Sequence, residues 1–143
     1  MRLGEWRASA TGKKVIPAKV AEVMESALRA LGVPSDPVAY VLWGDQPEVR
    51  FLVLAASDAG MAYVGVRVNV PQEGPRASGR MIRWSRVQVG ELSVEAHHGH
   101  RQVTAQVESQ VLQGVDAAGD EIAAWMGEVY RRVDGVGLSQ ARA

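Results

Sequence analysis

Between Val38 and Ser109 six stretches read as strands, most of them with a two-residue apolar period, and no helical pattern lies between them. Successive side chains of a strand point to opposite faces, so such a stretch forms a strand with its apolar face buried. "VAYVLW" (38–43) is the first and is closed by the turn former "GDQP". "VRFLVLAAS" (49–57) is apolar at almost every position, as suits a strand buried on both faces or one at the centre of the sheet under a helix. In "MAYVGVRVNV" (61–70), Ala62, Val64, Val66, Val68 and Val70 point one way; Tyr63, Gly65, Arg67 and Asn69 point the other. "PQEGPRASG" (71–79) holds two prolines and two glycines and reads as a loop. In "RMIRWSRVQVG" (80–90) Ile82 and Trp84 share one face, but Val87 and Val89 have the opposite phase, so a bulge or corner is expected at Ser85-Arg86. "ELSVEAHH" and "RQVTAQVES" complete the run. Six successive strands with no intervening helix predict an antiparallel meander, not a parallel α/β sheet.

Helical patterns flank this region. In "PAKVAEVMESALRALG" Val20, Val23, Met24, Ala27, Leu28 and Leu31 form one apolar stripe. Pro17 suits the first helical position, and Gly32 with Pro34 stops the helix. In "VDAAGDEIAAWMGEVYRRVDG" the stripe is Ala118, Ile122, Trp125, Val129 and Val133. Asp116 is expected to cap the first turn with its side chain, and Gly135 to end the helix. The 143 residues fit one domain. The expected organisation is an N-terminal arm over 1–16, a single α+β domain over 17–134 and a flexible tail over 135–143. The expected fold class is α+β: an N-terminal helix, an antiparallel six- to seven-stranded curved sheet or barrel, and a C-terminal capping helix. "SQVLQGV" (109–115), or a segment within 5–16, would supply the seventh strand.

The absence of cysteine excludes disulfides, thiolate metal sites and cysteine nucleophiles. Sixteen basic and sixteen acidic residues cancel. Nucleic-acid binders show a basic surplus, so nucleic acid is not an expected partner, while near-zero net charge favours self-association into a homo-oligomer. No apolar run reaches membrane-spanning length, and "MRLGEWRASATGKK" has no apolar core of a signal peptide; a cytoplasmic protein is the expectation. There is no G-x-S-x-G elbow, no phosphate loop, no dinucleotide-binding glycine pattern and no spaced pair of carboxylates for acid–base work. No catalytic residue and no cofactor is expected.

"EAHHGHRQ" (95–102) places three histidines in four positions. If His98-Gly99 is a two-residue hairpin turn, His97 faces His100, Glu95 faces Gln102, Val94 faces Val103, Ser93 faces Thr104 and Leu92 faces Ala105. Like faces like at each step, and a one-residue slip would destroy the match, so the pattern specifies this register. Gly99 supplies the positive φ that such turns need. His97, His100 and Glu95 are then a weak candidate set for zinc or nickel, short of the four buried ligands of a structural site. The solvated turn is the favoured interpretation.

Charge is uneven along the neutral chain. Arg67, Arg76, Arg80, Arg83 and Arg86 share a twenty-residue span with one acid, Glu73, for a local net charge of +4. Guanidinium forks match carboxylates and phosphates bidentately. Arg76, Arg80 and Arg83 are the candidate contacts for an anionic protein or a lipid headgroup. By phase, Arg83 should face solvent, while Arg86 sits at the corner.

"MIRWSRVQVGEL" resembles the "I-P-Y-S-R-I" strand that precedes the second sheet of bacterial PH-like (pleckstrin-homology superfold) domains. "DEIAAWMGEVYRRV" resembles their closing helix. The resemblance spans residues 38–134 and implies a filled barrel that serves as a non-catalytic binding or assembly module. A helix before the sheet departs from that family. A helix, a curved sheet and a long terminal helix also describe the helix-grip fold, which encloses a small apolar ligand. Less closely, they describe the α+β secretion chaperones, which dimerise and bind partner segments.

Overall fold

In a computed structural model, residues 10–11, 14–34, 36–44, 50–68 and 74–142 are described, with side chains for 16–34, 36–41, 50–68 and 74–135. Trp6, the side chain of Val15, the 45–47 part of the "GDQP" turn and residues 71–73 of the expected loop lie outside them. The chain falls into two compact units, Met1–Ile82 and Arg83–Ala143.

The first unit carries a two-residue ribbon, β1 (Ala10–Thr11) with β2 (Lys14–Val15), and helix α1 (Ala18–Ala30). A four-stranded sheet follows in the order β3 (Ala39–Gly44), β4 (Arg50–Ala56), β5 (Gly60–Arg67) and β6 (Arg76–Arg83). Helix α1 begins one residue later than its sequence suggests, with Pro17 at the cap position and an extended ψ of 146°. It ends as expected at Gly32, whose N–H donates to the Arg29 carbonyl while that of Val33 donates to Leu28. This pair of bonds satisfies carbonyls that the last turn leaves open. Val20, Ala21, Met24 and Leu28 are buried on the helix, and they pack with Ala39, Val41, Phe51, Val53, Ala55, Ala62, Val64 and Val66 from one face of the sheet. Burying each such valine or leucine contributes about 1.5–3 kcal/mol, which is why the period-two valines dictate the sheet.

Strand β6 starts inside the segment that its prolines and glycines mark as a loop. Ala77 and Met81 pack against the α1 core, and Gly79 allows an unusually close approach to β5. A Cβ on Gly79 would sit 2.5 Å from the Tyr63 carbonyl oxygen and 2.7 Å from Val64 Cγ2. Tertiary packing thus overrides a weak local preference.

The second unit opens with a 3₁₀ turn at Trp84–Arg86, located at the expected corner but built as a helical turn instead of a bulge. Its sheet has the order β7 (Ser93–His97), β8 (His100–Val107) and β9 (Gln110–Val115). The bulge lies further on: Val89 pairs with Val107 but Ser93 pairs with Thr104, so four steps on one side oppose three on the other. The seventh strand is β9, the "SQVLQGV" alternative. Helix α2 (Ala117–Arg142) packs on β8 and β9, with Ile122, Trp125, Met126 and Val129 fully buried. Met126 was not part of the sequence stripe, and Ala118 is exposed. The helix runs past Gly135 to Arg142, where the sequence suggests a stop and a flexible tail.

The class is therefore α+β, with two helices, the β1–β2 ribbon and seven further antiparallel strands in two sheets among the described residues. They form neither one continuous sheet nor a closed barrel. The single sheet expected from the meander divides at Trp84–Arg86, because the 3₁₀ turn ends the pairing of β6 before β7 begins. Among the described residues no helix is long and apolar enough to cross a membrane.

Candidate functional site

The arginines are organised by the face of the four-stranded sheet that is turned away from α1. Arg50 stands directly opposite Arg67, Leu52 opposite Gly65, Leu54 opposite Tyr63 and Ala56 opposite Met61. On β6, Gly79 lies against Val64, and the Arg80 guanidinium lies over the Tyr63 ring, 5.6 Å from its centroid. Four rows result across β4 and β5: Arg50–Arg67, Leu52–Gly65, Leu54–Tyr63 and Ala56–Met61.

Burial grades along these rows. Ala56, Met61, Ile82 and Leu54 are buried, Leu52, Gly65 and Tyr63 are half-buried, and Arg50, Arg67, Arg76 and Arg80 are exposed. Residues opposite one another in neighbouring strands have Cβ atoms about 4.5–5.5 Å apart, and like charges so placed destabilise a sheet. The first row sets two of them side by side. In the second row a Cβ on Gly65 would meet nothing within 4 Å. The Tyr63 ring offers its negative face to the Arg80 cation.

The sequence candidates separate on this geometry. Arg76 and Arg80 share the Tyr63 face. Arg83 is exposed, as its phase predicts, but it has the parity of Ala77 and Met81, which pack on the α1 side. Arg86 is exposed within the 3₁₀ turn. Arg50 was missed, because it stands alone in its stretch of sequence. Only the β4–β5 register brings it next to Arg67, and the charged end of "VRFLVLAAS" was the available signal.

The histidine hairpin has the expected register from Ser93–Thr104 through His97–His100. His98 and Gly99 both have positive φ, 50° and 79°, as a type I′ turn requires. His97 and His100 are cross-strand neighbours, and the His97 and His98 rings meet edge-on with centroids 4.1 Å apart. His100 uses Nδ1 to donate to Asp116. Glu95 faces Gln102. Among the described residues no three His, Asp or Glu side chains group so as to hold a metal ion.

Asp116 does not cap helix α2 with its carboxylate. Its carbonyl accepts the Asp120 N–H, but its side chain reaches the hairpin strand, where Oδ1 accepts from the Arg101 N–H at 3.1 Å. Its φ of 52° turns the chain so that the carboxylate points there. Arg101 in turn pairs with Asp120 in the first turn of the helix.

No protein-family model matches this chain, and neither a curated protein nor a solved structure shows significant similarity to it.

Proposed function

We propose that this protein is a non-catalytic binding or assembly module that recognises an anionic partner through the sheet face bearing Arg50, Arg67, Arg76 and Arg80. The observation that carries this reading is the placement of four exposed arginines on one face, two of them directly opposite each other in the β4–β5 register. Guanidinium forks bind carboxylate or phosphate bidentately, and a field of one sign speeds encounter with an anion. The resemblance to PH-like domains belongs to the same reading. Two antiparallel sheets followed by a C-terminal helix are compatible with that architecture, and such folds serve as scaffolds for recognition.

The test compares the native chain with an Arg76→Gln, Arg80→Gln double variant against poly-glutamate, phosphatidylserine vesicles and pyrophosphate. The native chain should bind at least one of them, and added salt should weaken that binding, since exposed charges are screened beyond about 8 Å at 0.15 M. The double variant should bind about tenfold more weakly, the loss of two exposed charge contacts of under 1 kcal/mol each. Equal binding by both proteins at low salt would make the face merely solvated.

A further inference from the structure

We infer that the free edge of strand β9 is a self-association site, at which two copies of this chain pair antiparallel about Gln113. This goes beyond the anionic-partner reading and does not rest on it. β9 pairs with β8 and stands at the end of its sheet. Alternate residues of an antiparallel strand send their N–H and C=O groups to opposite sides. The Asp116 N–H donates to the Arg101 carbonyl of β8, which sets the phase. The backbone groups of Gln110, Leu112 and Gly114 therefore meet β8, and those of Val111, Gln113 and Val115 point outward. Residues 109–115 include no charge and no proline. The other sheet edges differ. β3 lies beside the β1 strand, β6 carries Arg76, Arg80 and Arg83, and β7 carries Glu95 and follows the bulge. Charges and bulges keep sheet edges from pairing, and β9, regular along its whole register, has neither.

The side chains say what covers this edge. Leu112 is buried on the α2 face opposite Ala105, whereas Val111, Gln113 and Val115 stand on the outer face, opposite Gln106, Thr104 and Gln102. Val111 is 61% exposed and Val115 46%, at either end of one short strand. A register centred on Gln113 sets Val111 of each copy against Val115 of the other. It sets Gln113 against Gln113, whose side-chain amides each hold a donor and an acceptor. On the α2 face it sets Leu112 against Gly114, so large meets small. Val111, Gln113 and Val115 then exchange both of their backbone hydrogen bonds with the second copy. A shift of two residues either way sets valine against glutamine and leaves outward groups unpaired. An arrangement in which one residue meets a second, and the second meets the first, is the contact of a twofold dimer. It closes the β9 edge against a third copy. Sixteen basic and sixteen acidic residues cancel, so two copies meet without net repulsion. One strand pair falls short of the roughly 1,600 Å² of a stable interface, so the dimer is weak and depends on concentration.

Sedimentation velocity on the full chain, from micromolar to millimolar concentration, is the test. The native chain should pass from monomer to dimer as concentration rises. Hydrogen exchange should slow with it at the Val111, Gln113 and Val115 amides, and stay unchanged at Leu112 and Gly114, which already bond to β8. Val111→Lys, Val115→Lys places like charges opposite each other and should raise the dissociation constant at least about tenfold. Val111→Lys, Val115→Glu places opposite charges there and should dimerise within about threefold of the native chain. Both variants change only exposed positions, and a cooperative thermal melt checks that they fold. Arg76→Gln, Arg80→Gln should dimerise like the native chain, which keeps this interface separate from the anionic face. A native chain that stays monomeric at millimolar concentration overturns the proposal, and the edge is then open to an extended segment of another protein. A dimer that Val111→Lys, Val115→Lys leaves intact, or that forms without protecting the Val111, Gln113 and Val115 amides, overturns it equally. If Val111→Lys, Val115→Glu is as monomeric as Val111→Lys, Val115→Lys, the pairing about Gln113 is overturned.

Discussion

His100 Nδ1 donates to Asp116 Oδ2 across 2.7 Å, joining the tip of the histidine hairpin to the residue that begins helix α2. The same carboxylate accepts the Arg101 N–H. These contacts hold the Asp116 carboxyl below its ordinary value of 3.8, first through the Arg101 backbone hydrogen bond and then through His100. A carboxyl with a lowered folded-state pKa stabilises the fold at pH above its ordinary value, and that contribution is lost as pH falls through the lower folded value. The native chain should therefore melt higher than Asp116→Asn near neutrality, and the gap should close as the pH is taken below 3.8. Thermal midpoints of both proteins across pH 2–7 check this; a gap independent of pH would show that the carboxylate charge contributes nothing.

Trp125 is fully buried on α2, and its Nε1 has no hydrogen-bond acceptor among the described residues. Trp125→Ala should cost about 3–5 kcal/mol, through lost burial and the cavity left behind. Trp125→Phe should cost clearly less, because it keeps most of the ring volume and removes a buried donor whose desolvation costs about 1–3 kcal/mol. Denaturant unfolding of the two variants gives the comparison, and equal losses would contradict it.

His98 holds a left-handed backbone, at a position of the turn where asparagine is favoured. His98→Asn should raise stability by a few tenths of a kcal/mol, or about 0.5 kcal/mol at most. The pair His97→Gln, His100→Gln should leave zinc binding unchanged in equilibrium dialysis. A stoichiometric zinc ion lost in that pair would restore a metal role for the hairpin.

Gly79 is exposed, so its importance is not burial. A methyl group there would meet the Tyr63 carbonyl oxygen and Val64. Gly79→Ala should destabilise by about 1–3 kcal/mol, as overpacking does. It should also loosen β6 from β5, which hydrogen exchange of the β6 amides would report. Gly65→Ala on the neighbouring strand, with open space above it, should show neither effect.

Much of the fold is legible in local pattern. The hairpin from Ser93 to Thr104 could be read residue by residue, since its register follows from a two-residue turn and from pairing like with like. The α1 stripe and the stop at Gly32 were equally plain. The site was legible only in part. Arg76 and Arg80 stood out by charge density, but Arg50 lies seventeen positions before Arg67 and joins it only through strand pairing. Phase along β6 separates Arg83 from Arg76 and Arg80, yet a segment read as a loop up to Gly79 offered no phase to count.

What the chain determines by itself is what short-range physics decides: strand or helix from the apolar period, the turn at His98-Gly99 from backbone sterics, and the end of α1 at Gly32. Tertiary structure alone decided the rest. Ala77 and Met81 gain burial against α1 only once the sheet exists, and that gain makes a strand of a segment rich in glycine and proline. The division into two sheets at Trp84–Arg86, the turn of the Asp116 carboxylate toward Arg101 and the pairing of Arg50 with Arg67 all depend on residues far apart in sequence. Their pairing energies are absent from any local window, so no periodicity within one could have shown them.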